Sequence, residues 1–268
     1  MITSSVPGSW QDLQTEAARI LSEYGFQTEI EKSIDLSRGQ VNVDVYAAEI
    51  IHGRRNLIIC ECKFWRSKIP QHVIHSFRTI VQDGGINTGY VISINGFQSG
   101  SVEASAFSNI ELLTWEGFQQ KFLNTWYYAY FLPAYTTLVD DFITFCEPFL
   151  PAWFDLMEEA DKADLVKLHE RYYIAGMILN EFTNYGQLLG TKPVPPLPLW
   201  NRFGDQGDEQ FITNLFPPEL LFGATTFREF MEATAEFIMP VMVQFHSYHD
   251  KYHDPEKESG LLKTYINH

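Results

Sequence analysis

Val41-Asn42-Val43-Asp44-Val45-Tyr46 and, further on, Ile58-Ile59-Cys60-Glu61-Cys62-Lys63-Phe64 are the stretches whose reading decides the fold. In the first, valines alternate with polar residues and a tyrosine. That is a period of two, so it reads as a strand with Asp44 on its polar face. The second is rich in β-formers and reads as the next strand. There Glu61 and Lys63 share one face while Cys60 and Cys62 share the other. Between them, His52-Gly53-Arg54-Arg55-Asn56 is a turn signal. A hairpin centred near His52 and Gly53 sets Asp44 across from Glu61, with Cβ atoms roughly 5 Å apart.

Charged side chains inside an apolar strand are uncommon without a partner or a task. Two facing carboxylates repel unless a positive group lies between them. A divalent cation does this well, because Mg²⁺ takes one or two carboxylates and keeps several waters. Lys63 points to the same place. It is suited to orienting or deprotonating an attacking water and to offsetting transition-state charge. Spacing alone leaves open a plain Asp–Lys or Glu–Lys pair on a solvated sheet face.

The flanking sequence adds a resemblance. Residues 10–122 resemble the Mrr-like catalytic domain of restriction endonucleases, within the PD-(D/E)xK nuclease superfamily. The likeness runs through a first helix ending in Leu21-Ser22-Glu23-Tyr24-Gly25-Phe26, then the Asp44 strand and the Glu61-Cys62-Lys63 strand. A helix over 69–81, with Pro70 near its first turn, follows. Gly84-Gly85-Ile86-Asn87-Thr88-Gly89-Tyr90-Val91-Ile92-Ser93 looks like the family's Gly-rich turn into a strand. Asn95-Gly96-Phe97 precedes a helix containing Ala104 and Ala106, then come a short strand over 110–113 and a closing helix from Trp115. The chain departs from the family pattern before Asp44, where glycines are usual and Gln40-Val41-Asn42-Val43 stands instead.

The resemblance implies an α/β fold, a mixed central sheet flanked by helices, and hydrolysis of DNA phosphodiesters with Mg²⁺, or Mn²⁺ in its place. It implies Asp44, Glu61 and the backbone carbonyl of Cys62 as metal ligands and Lys63 as the catalytic lysine. Gln14, or else Glu16, stands where the family adds a polar residue from its first helix. A bacterial anti-phage or restriction role follows from the same resemblance. Rival uses of the site are repair, recombination or RNA cleavage, or a catalytically silent assembly protein on the same fold.

Composition bounds the rest. A chain of 268 residues holds one large domain or two smaller ones. Three cysteines make no zinc-like spacing and no disulfide framework, which suits a reducing cytoplasm. No signal peptide is read at the N-terminus. Residues 122–139 carry no charge, a run near the length of a membrane span. They hold Asn124, four tyrosines and Pro133, with Asp140 and Asp141 directly after, so a buried or interfacial helix is expected and no membrane.

The net charge of −15 divides unevenly. Residues 1–124 hold 10 Lys+Arg against 13 Asp+Glu, and residues 125–268 hold 9 against 21, giving −3 and −12. The acidic excess therefore lies in the second half. In the first half Arg54, Arg55, Arg66, Lys68 and Arg78 are candidate DNA phosphate contacts around the site. We expect a nuclease domain over 1–124 and a mostly α-helical domain over 125–268 for oligomerisation, accessory or sensing roles. Duplex cleavage implies a dimer or higher homo-oligomer, and a defence-system protein partner is possible.

Within the second half, apolar residues at helical spacing predict a helix over 156–186. A second helix is predicted from Thr226 to His253, with Thr226 and Glu229 as a capping box. Six prolines over 190–218 predict an extended loop between them. The many aromatics from Trp126 to Phe154 read as a helical core and oligomer face, or as a ligand-sensing pocket. His246, His249 and His253 fall on one face of the last helix, read as a polar terminal helix rather than a metal site.

Overall fold

The structure is a computed structural model, and it describes residues 1–37, 39–188, 192–203 and 209–254. Two compact units divide the chain, Met1–Tyr130 and Phe131–His268.

The first unit is an α/β layer fold. Helix α1 (Trp10–Tyr24) starts at Ser9, whose hydroxyl accepts from the Asp12 N–H. It ends on Gly25, whose φ of 122° permits the sharp exit. Strands β1 (Gln27–Leu36), β2 (Gly39–Ile51) and β3 (Arg54–Lys63) form an antiparallel meander. Helix α2 (Gln71–Asp83) leads to β4 (Thr88–Ser93), and α3 (Ser99–Ser105) leads to β5 (Ile110–Thr114). Strands β3, β4 and β5 are parallel, so the five-stranded sheet is mixed, in the order β1-β2-β3-β4-β5. Helix α4 (Trp115–Trp126) closes the unit, capped by the Thr114 hydroxyl on the Gly117 N–H.

One sheet face carries Ile59 and Val91 against Val73, Ile74, Phe77 and Val81 of α2. The other face carries Val45, Ile58, Cys60 and Cys62, all buried beneath the apolar side of α1. Each buried aliphatic side chain contributes about 1.5–3 kcal/mol through removal from water, so these two cores fix which side of β3 faces which helix. Gly89 of β4 lies so close to α2 that an added Cβ would fall 2.7 Å from both Phe77 and Val81.

The turn between β2 and β3 is tighter than expected. Only His52 and Gly53 turn, with φ of 49° and 78°, while Arg54, Arg55 and Asn56 already belong to β3. Positive φ at both central residues is the type I′ geometry that matches strand twist.

The second unit is helical: α5 (Leu132–Phe145), α6 (Glu159–Asn180), α7 (Glu209–Leu215) and α8 (Phe227–Tyr252). Phe131, Tyr135, Phe182 and Phe230 pack ring against ring, and the Tyr135 hydroxyl meets the Thr234 hydroxyl at 3.2 Å. Asp161 ties α6 to α8 by accepting from Lys251 at 2.8 Å and from the Tyr252 hydroxyl at 2.5 Å.

Three expectations for this half are corrected. The helix predicted over 156–186 is a 3₁₀ turn (Ala152–Leu156), then α6, because Met157 and Glu158 are extended. Acidic Glu159 and Asp161 then suit the first turn of a new helix. The stretch predicted as loop over 190–218 contains α7, while residues 190–191 and 204–208 lie outside the described residues. Thr226 occupies the N-cap of α8, yet its hydroxyl makes no cap bond; the neighbouring Thr225 hydroxyl meets Glu229 at 3.4 Å instead. Among the described residues no helix is long and apolar enough to cross a membrane.

Candidate active site

The site is built at one end of the β2–β3 ladder. Its last pair is Val45 with Cys60, so the next position along the register sets Asp44 opposite Glu61. The strands do not pair there. Val43 and Tyr46 both belong to the core beneath α2, although strict alternation would put them on opposite faces. On the other side of β2, Glu31 is missing from the ladder opposite Asp44 and has a φ of 51°. The pleat is thus broken at Asp44. Its carboxylate takes up a ladder role, with Oδ2 accepting from the Cys62 N–H at 2.6 Å.

Glu61 and Lys63 leave β3 on the same face and form an ion pair with each other. Both side chains are about one-fifth exposed, at 22% and 18%. Burial pushes the Glu61 carboxyl above its ordinary range. Lys63 pulls it down and the Asp44 charge pushes it up, and the balance is upward. Cys60 and Cys62 lie on the opposite face, and burial raises both thiols.

A cleft of about 220 Å³ opens over this pair. Glu61, Lys63 and Trp65 form one side, and His72, Ser76 and Phe77 of α2 the other. His72, Ser76 and Ile80 recur every four residues, the stripe of α2 that faces the cleft. Sequence reading missed Trp65, His72 and Ser76. For His72 and Ser76 the only signal is that stripe, which needs the helix's orientation to be meaningful.

The other candidates are placed as follows. Arg66 and Lys68 are exposed in the loop directly after Lys63. Arg54 and Arg55 do not cluster at the site. They lie at the hairpin end of β3, about 20 Å or more along the strand from Glu61 at 3.3 Å per residue. Arg55 donates there to the Tyr46 hydroxyl at 2.7 Å. Arg78 is turned toward α3 and donates to the Ala104 carbonyl at 3.4 Å. Gln14 is buried on the inward side of α1, and Glu16 pairs with Arg19 at 3.8 Å. Helix α1 packs on the face opposite Glu61 and Lys63, so the structure does not bring these two together with the pair.

The donors fit a hard divalent cation. Among the described residues no group of three His, Cys, Asp or Glu side chains is placed to hold a metal. Two carboxylates at adjoining register positions, one resisting ionisation, are the small oxygen set that Mg²⁺ takes while keeping waters or phosphate oxygens.

Residues 8–121 match the family model Mrr_cat, described as restriction endonuclease. Comparison with curated proteins gives no match. Among solved structures, the chain is similar to the protein of unknown function AF1548, at 17% identity and a TM-score of 0.36, covering 42% of this chain and 66% of that one. It is also similar to a repair endonuclease from Pyrococcus abyssi, at 19% identity and a TM-score of 0.29, covering 44% of this chain and 50% of that one. The family model spans the sheet, its helices and the Asp44, Glu61 and Lys63 positions, so residues 8–121 are consistent with an Mrr-like nuclease domain of the PD-(D/E)xK type.

Proposed function

We propose that the chain is a metal-dependent endodeoxyribonuclease that hydrolyses DNA phosphodiester bonds. The observation that supports this most is the register that sets Asp44 against Glu61, with Lys63 on the same face. Asp44, Glu61 and the Cys62 carbonyl hold Mg²⁺, for which Mn²⁺ can substitute. When bound, the cation lowers the pKa of a coordinated water and offsets phosphoryl charge. Lys63 moves from Glu61 to the attacking water or the scissile phosphate, and there stabilises the charge that develops on the pentavalent centre. Arg66 and Lys68, beside Lys63, hold the phosphates that flank the cut. Arg54, Arg55 and Arg78 serve phosphates more distant from the cut.

The nuclease domain covers 1–124 in this reading, and the helical part over 125–268 mediates assembly or sensing. Its charge of −12 opposes general duplex binding by that half. Cutting both strands calls for a homodimer or higher oligomer. The setting is a cytoplasmic restriction or anti-phage system with a protein partner, and the three free, buried thiols suit that compartment.

The test is incubation with plasmid, single-stranded DNA and RNA, in Mg²⁺, in Mn²⁺ and in chelator. Metal-dependent cutting of DNA is expected. Absence of cutting on every substrate, alone and with a defence partner, would refute the enzyme reading.

A further inference from the structure

We infer that Trp65 is a stacking platform for one unpaired nucleobase, so that the preferred substrate carries a single-stranded or unstacked nucleotide beside the scissile phosphate. The inference rests on the nuclease reading above and names the substrate class of that site.

Three observations carry it. Trp65 is 40% exposed although it is the largest apolar group of its loop, and its neighbour Phe64 is 38% exposed. Both lie between Lys63 and the cations Arg66 and Lys68. Aromatic faces interleaved with positive charge are what an unstacked strand needs, since every base has a π-face and every nucleotide a phosphate. Next, the indole lines the same cleft as Glu61 and Lys63, and Lys63 Nζ lies 5.9 Å from its ring centroid. A base laid on Trp65 therefore belongs to a nucleotide whose phosphate reaches Lys63. The cleft volume of about 220 Å³ is below the roughly 300 Å³ at which pockets for whole small ligands begin. Trp65 and the Phe77 side of α2 both line it, which suits one planar group laid on the indole. His72 and Ser76 line the same space and supply polar atoms for the base edge.

The loop is also fastened at both ends, which keeps the platform in place before substrate arrives. The Asn95 side-chain amide donates to the Trp65 carbonyl at 2.5 Å. At the other end, the Ile69 N–H donates to Gly96 at 3.0 Å, and the Ser101 hydroxyl donates to the Ile69 carbonyl at 2.6 Å.

The experiment measures binding in chelator, where nothing is cut. The probes are a duplex with hairpin-closed ends, the same duplex with a short single-stranded tail, and the same duplex with a tail of abasic sugars. Full-length protein is expected to prefer the natural tail over both others. Trp65→Ala should lower affinity for the tailed duplex by about 5- to 150-fold, the range of one lost base stack, and leave the closed duplex unchanged. Trp65→Phe should keep most of the preference. A parallel cleavage assay separates the two readings: persistent tail preference without cutting in Mg²⁺ counts against the nuclease reading alone. Equal binding of all three probes by the unaltered protein, or equal weakening of all three by Trp65→Ala, would overturn the platform.

Discussion

Asp44 and Cys62 are joined by a hydrogen bond in which a carboxylate replaces a backbone acceptor, Oδ2 taking the Cys62 N–H at 2.6 Å. One side chain thus closes the frayed end of the β2–β3 ladder and holds a charge at the site. The two roles separate by substitution. Asp44→Asn keeps an oxygen for the Cys62 N–H and should leave stability near that of the parent. Asp44→Ala leaves a buried N–H without its partner and should cost about 1–3 kcal/mol. Both should lose cleavage. Urea unfolding beside a plasmid-cutting assay checks this, and equal stability of the two variants would contradict the structural half.

Glu61 gives a prediction in pH. Burial raises its folded-state carboxyl above the ordinary 4.5, so the folded protein holds this proton more tightly than the unfolded chain does. Stability from this group is therefore full below 4.5 and falls as pH rises through the raised value. Glu61→Gln removes the ionisation, so in chelator it should raise the melting temperature at neutral pH, with the gain shrinking toward acid. Divalent metal should stabilise the parent at neutral pH and leave Glu61→Gln unchanged. Melting curves across pH, with and without Mg²⁺, test both; a gain that grows toward acid would contradict the burial argument.

Gly89 is where β4 and α2 touch. A Cβ there would meet Phe77 and Val81 at 2.7 Å, so Gly89→Ala should destabilise by about 1–3 kcal/mol, as overpacked cores do. Adding Phe77→Ala should recover part of that loss, because the methyl then enters the space the ring leaves. Additive losses in the double variant, measured by urea unfolding, would show that the contact is not the cause.

How much of this was legible in the sequence follows from the range of each interaction. The register that carries Asp44 toward Glu61 was legible because hairpin arithmetic is local: a turn at His52 and Gly53 fixes the pairs up to Val45 with Cys60. From β2 to α4 the order of elements followed the resemblance, although α2 begins at Gln71 rather than Ile69 and Ala106 lies just past the end of α3. Strand β1 was not read, because Glu29, Glu31, Lys32 and Asp35 leave an edge strand with little apolar alternation. The bend at Asp44 was also hidden. It coincides with a positive φ at Glu31, on a strand the pattern does not reveal. Trp65 and His72 join the site only once α2 is laid on the sheet, and Arg54 and Arg55 leave it because β3 carries them to its far end. Sequence proximity to Glu61 is not spatial proximity along an extended strand.

The most direct test of the central claim is the fate of Lys63. Lys63→Ala should fold, with matching circular dichroism and a cooperative melt, and still bind tailed DNA in chelator. It should lose metal-dependent cleavage by several orders of magnitude on the substrate that the parent cuts. Undiminished cutting by folded Lys63→Ala protein would contradict the assignment of the site.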